Sequence, residues 1–179
     1  MNEYIDWFFT KALPLPLKFD ENEWAAIITF VIGYTAVFLC PKRFSKVIVL
    51  LLLSFGVAAS MVLDQILAAG PIDLYDVYDS KKFELFDLLI YFMIAPFSYL
   101  FIYFYDLIKV KKSWILLYLF LCSLLAVAVE WLFLHLHMFT FKNWKLVYSY
   151  PIYLSLQILL LLFYHFIKKT AEEDRLKSE

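Results

Sequence analysis

Long apolar runs alternate with short polar ones along almost the whole chain. A hydrocarbon core about 30 Å thick needs roughly 20 helical residues to cross it, and five runs come close to or exceed that length. The first spans Trp24 to Cys40 and stops at Pro41, Lys42 and Arg43. The second spans Lys46 to Leu67 and is closed by Gly70-Pro71. The third runs from Phe86 to Tyr105, the fourth from Trp114 to about His137, and the fifth from Tyr148 to Ile167. Inside lipid a lone segment satisfies its backbone only as a helix, so each run is predicted to be helical. The expected fold is all-α, a polytopic transmembrane bundle of five membrane-spanning helices over residues 24–167. Residues 1–23 are expected to form an extracytoplasmic interfacial segment, and residues 168–179 a charged cytoplasmic tail with a frayed helix.

Composition supports this reading. Hydrophobic residues make up 64% and aromatic residues 21% of the chain, against roughly 45–50% apolar in soluble domains. A soluble fold of this size could not bury that much apolar surface. A net charge of −1 argues against nucleic acid as a partner, which requires a concentrated basic surface. Three glycines and no internal repeat argue against the inverted-repeat design of many transporters.

Basic residues set the expected orientation. Lys42, Arg43, Lys46, Lys109, Lys111, Lys112, Lys168, Lys169, Arg175 and Lys177 fall on one side. Lys11, Lys18, Lys81, Lys82, Lys142 and Lys145 fall on the other. Ten against six, with the ten packed at helix ends, places the first set in the cytoplasm, N-out and C-in. Acidic Glu3 and Asp6, with Pro14 and Pro16 breaking the apolar run, do not fit a signal peptide. Tyr4, Ile5, Trp7, Phe8 and Phe9 beside Asp6 and Lys11 suit a segment lying on the outer face. Trp24, Trp114 and Trp144 fall at predicted boundaries, as an aromatic belt does. Cys40 and Cys122 lie at different depths on the reducing side, which disfavours a disulfide, and no Cys/His spacing matches a structural zinc site.

Polar residues at membrane depth carry the candidate chemistry. Glu130 stands 16 residues beyond Trp114, about 24 Å along the fourth helix and about 6 Å below the outer boundary. The residues before it, Leu124 to Val129, are all apolar, so its carboxyl has to face the bundle interior, pair with a donor, or be protonated; a functional site and a structural hydrogen bond that holds helices together fit it equally. Asp64 reaches a similar depth on the second helix, and Asp87 begins the third. Three acids at one level could converge on a cation or proton site; Asp64 and Asp87 equally fit the headgroup level, satisfied by water. His135 and His137, two apart, point away from each other on a helix, which disfavours a shared metal. Glu130 and His137, seven apart, would share a face and could handle protons. The loop Asp73-Leu-Tyr-Asp-Val-Tyr-Asp79 lacks the pattern of a calcium loop and is expected to be solvated, balanced by Lys81 and Lys82.

Two polar seams follow three-to-four spacing: Asp87, Tyr91, Ser98 and Tyr105 on the third helix, with Pro96 among them, and Ser149, Tyr153, Gln157 and Tyr164 on the fifth. They are expected to face each other or the fourth helix. Gln157 lies near mid-membrane, where its amide requires a partner. No nucleophile elbow, HExxH or phosphate loop is present, so no catalytic residue is assigned. No cofactor or metal is expected either.

Asp73-Leu-Tyr-Asp-Val-Tyr-Asp79, Ala95-Pro-Phe-Ser-Tyr-Leu-Phe-Ile-Tyr-Phe104, Glu130-Trp131, and Trp144 followed by Tyr148-Ser149 resemble an uncharacterised group of small polytopic proteins. That group occurs in endospore-forming Bacillus- and Clostridium-type bacteria. The resemblance covers roughly residues 40–167 and implies a plasma-membrane protein of a Gram-positive bacterium, linked to sporulation or germination. It transfers no chemistry. The leading expectation is a non-enzymatic accessory or small-ligand or ion-handling component centred on Glu130, in contact with membrane lipids and with a membrane-protein partner or further copies of itself. The alternatives are a membrane enzyme acting on a lipid or isoprenoid through Glu130, Asp64 and the outer histidines, and an oligomeric channel or transporter.

Overall fold

Among the described residues, the first helix is entered through a side-chain cap. At the start of α1 (Glu21–Leu39) the Glu23 carboxylate accepts from the Asp20 N–H at 2.9 Å, and Asn22 Oδ1 accepts from the Glu23 N–H at 2.8 Å. Those polar residues meet the free amides of the opening turn, so the helix begins three residues before Trp24. The computed structural model of the protein describes residues 14–16, 18–68, 72–77 and 84–178, with side chains to residue 173. The aromatic segment expected to lie on the outer face, Tyr4 to Phe9, is outside the described residues.

α2 (Lys46–Leu67) has the expected bounds, with Ser45 Oγ accepting from the Ile48 N–H at its start. α3 (Leu85–Leu107) is capped by Asp87, which accepts from the Glu84 N–H at 2.6 Å. A 3₁₀ turn over Lys112–Trp114 leads into α4 (Ile115–His135). α5 runs from Leu146 to Ser178, well past Ile167. Lys, Ala, Glu and Arg in its last turns are strong helix formers, and Lys169 pairs with Glu173 one turn on. The fall in hydropathy after Ile167 therefore marks the end of the apolar run, while the helix itself continues to Ser178. All five helices are long and apolar enough to cross a membrane.

Two short strands join the helices. β1 (Tyr75–Val77) and β2 (Phe139–Phe141) pair antiparallel in the register Tyr75↔Phe141, Asp76↔Thr140, Val77↔Phe139. The amides of Lys142 and Asn143 donate to the Leu74 carbonyl at 2.9 and 3.1 Å. The Lys142 ammonium reaches Asp73 at 2.5 Å and Asp76 at 2.7 Å. The acidic loop is thus tied down by Lys142 from a different connection, not left as a solvated loop; Asp79, Lys81 and Lys82 lie outside the described residues. This pair of strands caps one end of the bundle.

α3 is the central helix, packed between α1 and α2, and much more of its apolar stretch is buried than of any other helix. Its neighbours approach closely because small residues face it. A Cβ on Gly33 of α1 would meet the Pro96 ring at 3.0 and 3.1 Å. A Cβ on Gly56 of α2 would meet Ser98 Oγ at 2.7 Å and the Ala95 backbone at 2.8 Å. α4 and α5 pair mainly with each other. They join the three-helix group near the cap through Phe133 and Met138 against Ile90 and Met93, and near the far end through Leu161 and Tyr164 against Leu52 and Ile102. At that far end Arg43 donates twice to Asp106 Oδ2, at 2.9 and 2.7 Å, and the Tyr164 hydroxyl reaches Asp106 Oδ1 at 3.3 Å.

Gly56→Ala should force α2 off the α3 backbone and cost about 1–3 kcal/mol. Gly33→Ala, whose new methyl meets a ring edge at 3.0 Å, should cost less. Unfolding in mixed detergent, followed by circular dichroism, ranks the two.

Candidate functional site beneath the cap

Glu130 sits in the last turns of α4 and is only 8% exposed. Opposite it, Ser149 and Tyr153 stand four residues apart on one face of α5. Ser149 Oγ donates to Glu130 Oε1 at 2.8 Å, and the Trp144 indole N–H donates to Ser149 Oγ at 2.9 Å. The Tyr153 hydroxyl adds a second polar neighbour to the same carboxylate. Glu130 Oε2 is buried and has no hydrogen-bond partner among the described residues. One carboxylate oxygen is therefore held by an indole–hydroxyl chain, and the other is left open within the bundle.

The cap supplies the roof. Tyr75 of β1 packs edge-on against Phe139, with ring centroids 5.9 Å apart. Burial raises its phenol above the usual range, and the nearby carboxylates of Asp64 and Glu130 raise it further. Tyr75 thus lies between two of the three acids singled out from the sequence. Asp64 on α2 accepts from the Tyr91 hydroxyl of α3 at 2.5 Å. Asp87, 9% exposed, is spent on capping its own helix. The three acids occupy one level with separate partners. Among the described residues no group of three or more His, Cys, Asp or Glu side chains is placed to hold a metal.

His137 does not join Glu130. α4 ends at His135, and His137 follows in a left-handed turn (φ 54°) with its side chain exposed, so the seven-residue helical spacing no longer applies. His135 is also exposed, its Nδ1 2.8 Å from the Trp131 carbonyl and its ring against the Trp131 indole. Gln157 forms a lower rung on the α4–α5 face. Its amide lies 3.0 Å from Ser123 Oγ, and with the NH₂ turned toward α4 it also reaches the Leu119 carbonyl at 3.1 Å. The polar seam of α5 therefore faces α4. That of α3 turns mostly to α2, through Tyr91 to Asp64 and through Ser98 to the Leu52 carbonyl at 2.5 Å. Only Tyr105 looks toward α4 and α5, against Tyr118 and His165.

Tyr75 and Trp144 are the site residues that sequence reasoning did not assign. The alternation of Tyr75 with Val77, and of Phe139 with Phe141, is the strand signal, but three residues are too few to outweigh the loop reading. Trp144 fits a membrane belt equally well by position.

Ser149→Ala should leave the Trp144 N–H unpaired and remove one of the two hydroxyls that meet Glu130, costing about 1–2 kcal/mol, with a shift in tryptophan emission. Lys142 gives a second expectation. Asp73 and Asp76, by hydrogen bonding, raise its ammonium above the ordinary lysine range. The cap's ion pairs are then complete below the unfolded lysine pKa of about 10.4 and fade as pH climbs through the raised value. Lys142→Met should open the cap at neutral pH, read as faster amide exchange over 73–77 and 139–141 with the helices unchanged. No protein-family model matches the chain, nor does any curated protein or solved structure.

Proposed function

We propose that the protein is a non-enzymatic, multi-pass component of a bacterial cytoplasmic membrane. Its amino terminus lies outside and its carboxyl terminus inside, and Glu130 takes up a single positive charge, a proton or a monovalent cation, at the outer face. The observation that carries this reading is Glu130 Oε2, buried and without a hydrogen-bond partner among the described residues, while Oε1 is fixed by Ser149. An acid at membrane depth is costly and is held only where something compensates it. The charge count sets the class of ligand. One carboxylate among the neutral hydroxyls of Ser149, Tyr153 and Tyr75 balances one positive charge; a divalent ion bound by protein oxygens draws on several carboxylates.

The placement rests on the basic residues at the far end, which fit the positive-inside rule and put the cap and Glu130 at the outer leaflet. The resemblance to small membrane proteins of endospore-forming bacteria accords with an accessory role in the plasma membrane, in sporulation or germination.

The apolar reagent dicyclohexylcarbodiimide, which modifies carboxyls in their acid form within membranes, tests the site in proteoliposomes. A single adduct on Glu130 that increases as pH falls is the expected result, and Glu130→Gln should remove it while inserting normally. Protection by sodium or potassium at fixed pH would identify a cation; an unchanged adduct in both salts would identify the proton. Absence of a Glu130 adduct at every pH and in both salts would overturn the assignment. A reporter fused to the carboxyl terminus should register the cytoplasmic side.

A further inference from the structure

The turn between α3 and α4 forms a notch that the polar layer beneath the cap does not use. It encloses about 380 Å³ and is lined by Ile108, Lys109, Lys111, Trp114, Leu117 and Leu121, together with Tyr118. The Tyr118 hydroxyl donates to the Phe101 carbonyl of α3 at 2.5 Å, which fixes the back wall. Lys109 adopts a left-handed backbone (φ 48°) that turns the chain around the opening. Leu117 and Leu121 continue from the notch along the exposed face of α4 toward mid-bundle.

The charge at this rim is unmatched. Asp106, the acid closest in sequence, is already held by Arg43, and among the described residues Lys109, Lys111 and Lys112 have no ion-pair partner. Trp114 is 57% exposed and stands where the basic rim meets the apolar floor, the level at which an indole suits the headgroup boundary.

We propose that this notch is a binding site for one anionic phospholipid. Its phosphate lies against Lys109 and Lys111, its glycerol region against Trp114, and one acyl chain along Leu117 and Leu121. Basic pockets of this kind on the cytoplasmic side hold acidic headgroups, and the lysine-rich end is the side assigned to the cytoplasm. The occupant has to be anionic and long-chained at once. A free phosphate leaves the leucine floor uncovered, and a zwitterionic lipid leaves the lysines unbalanced.

Native mass spectrometry of the full chain in detergent, titrated with phosphatidylglycerol or phosphatidylcholine of equal chain length, tests the site. The expected result is one retained phosphatidylglycerol, favoured over phosphatidylcholine by roughly tenfold. That preference should disappear in a Lys109→Gln/Lys111→Gln variant and persist in a Lys168→Gln/Lys169→Gln control at the same end of the molecule. Brominated phosphatidylglycerol should quench the wild type more than a Trp114→Phe variant. Equal loss in both lysine pairs would reduce the effect to diffuse surface charge and overturn the proposal. So would binding of inorganic phosphate as tight as that of the lipid, or a lysine-dependent dimer that forms with no lipid preference.

Discussion

A hydroxyl, amide or carboxyl in apolar surroundings has to be met by another polar group of the same molecule, because no water is there to do it. In this chain that requirement decides which helices face each other. Ser98 reaches the Leu52 carbonyl and Tyr91 reaches Asp64, which fixes the α2–α3 seam. Ser149 with Glu130, and Gln157 with Ser123, do the same for α4 and α5. Apolar packing alone discriminates poorly in such a setting, since lipid tails are as favourable a neighbour as leucine. Gly33 and Gly56 then let the backbones come near enough for the short side chains to connect. Among the described residues, the buried Glu130 Oε2 is the side-chain oxygen left without such a partner.

The two helix groups are clasped at both ends and touch less extensively between them. At the cap, Lys142 from the α4–α5 connection ties to Asp73 and Asp76 from the α2–α3 connection. At the far end, Asp106 of α3 accepts from Arg43 and from Tyr164 of α5, with Phe44 stacked edge-on against Tyr164. Polar ties at the two rims, where water screens them, are each worth little; their effect is to set the register of one group against the other. Glu130 lies just under one of these ties, so the geometry of the cap and of the carboxylate are linked.

The helices were largely legible because their signal is local. Ser45 and Lys46 announce α2, and Gly70-Pro71 ends the run, so both ends of that helix are readable from neighbouring residues. α1 starts earlier than hydropathy suggests because its first turn is made of Glu21, Asn22 and Glu23, polar but capped. Glu130 was legible for the same local reason: one acid among apolar neighbours. Its partners were less so. Ser149 and Tyr153 emerged as a seam, yet Tyr75 comes from a loop 55 residues before Glu130 and reaches it only through a three-residue strand pair. The direction of the α3 seam was misjudged because spacing shows that residues share a face and says nothing about which helix that face meets.

α5 has one more consequence. Its 33 residues make a rod of about 50 Å, roughly 20 Å longer than the span of an apolar layer of about 30 Å requires. The same rigid arm holds Ser149 and Tyr153 near its root and the charged turns from Lys168 onward at its tip. A pivot of about 5° at the root would swing the tip by roughly 4 Å. Because Ser149 and the charged turns belong to one helix, any tilt at the Glu130 end is magnified at the other.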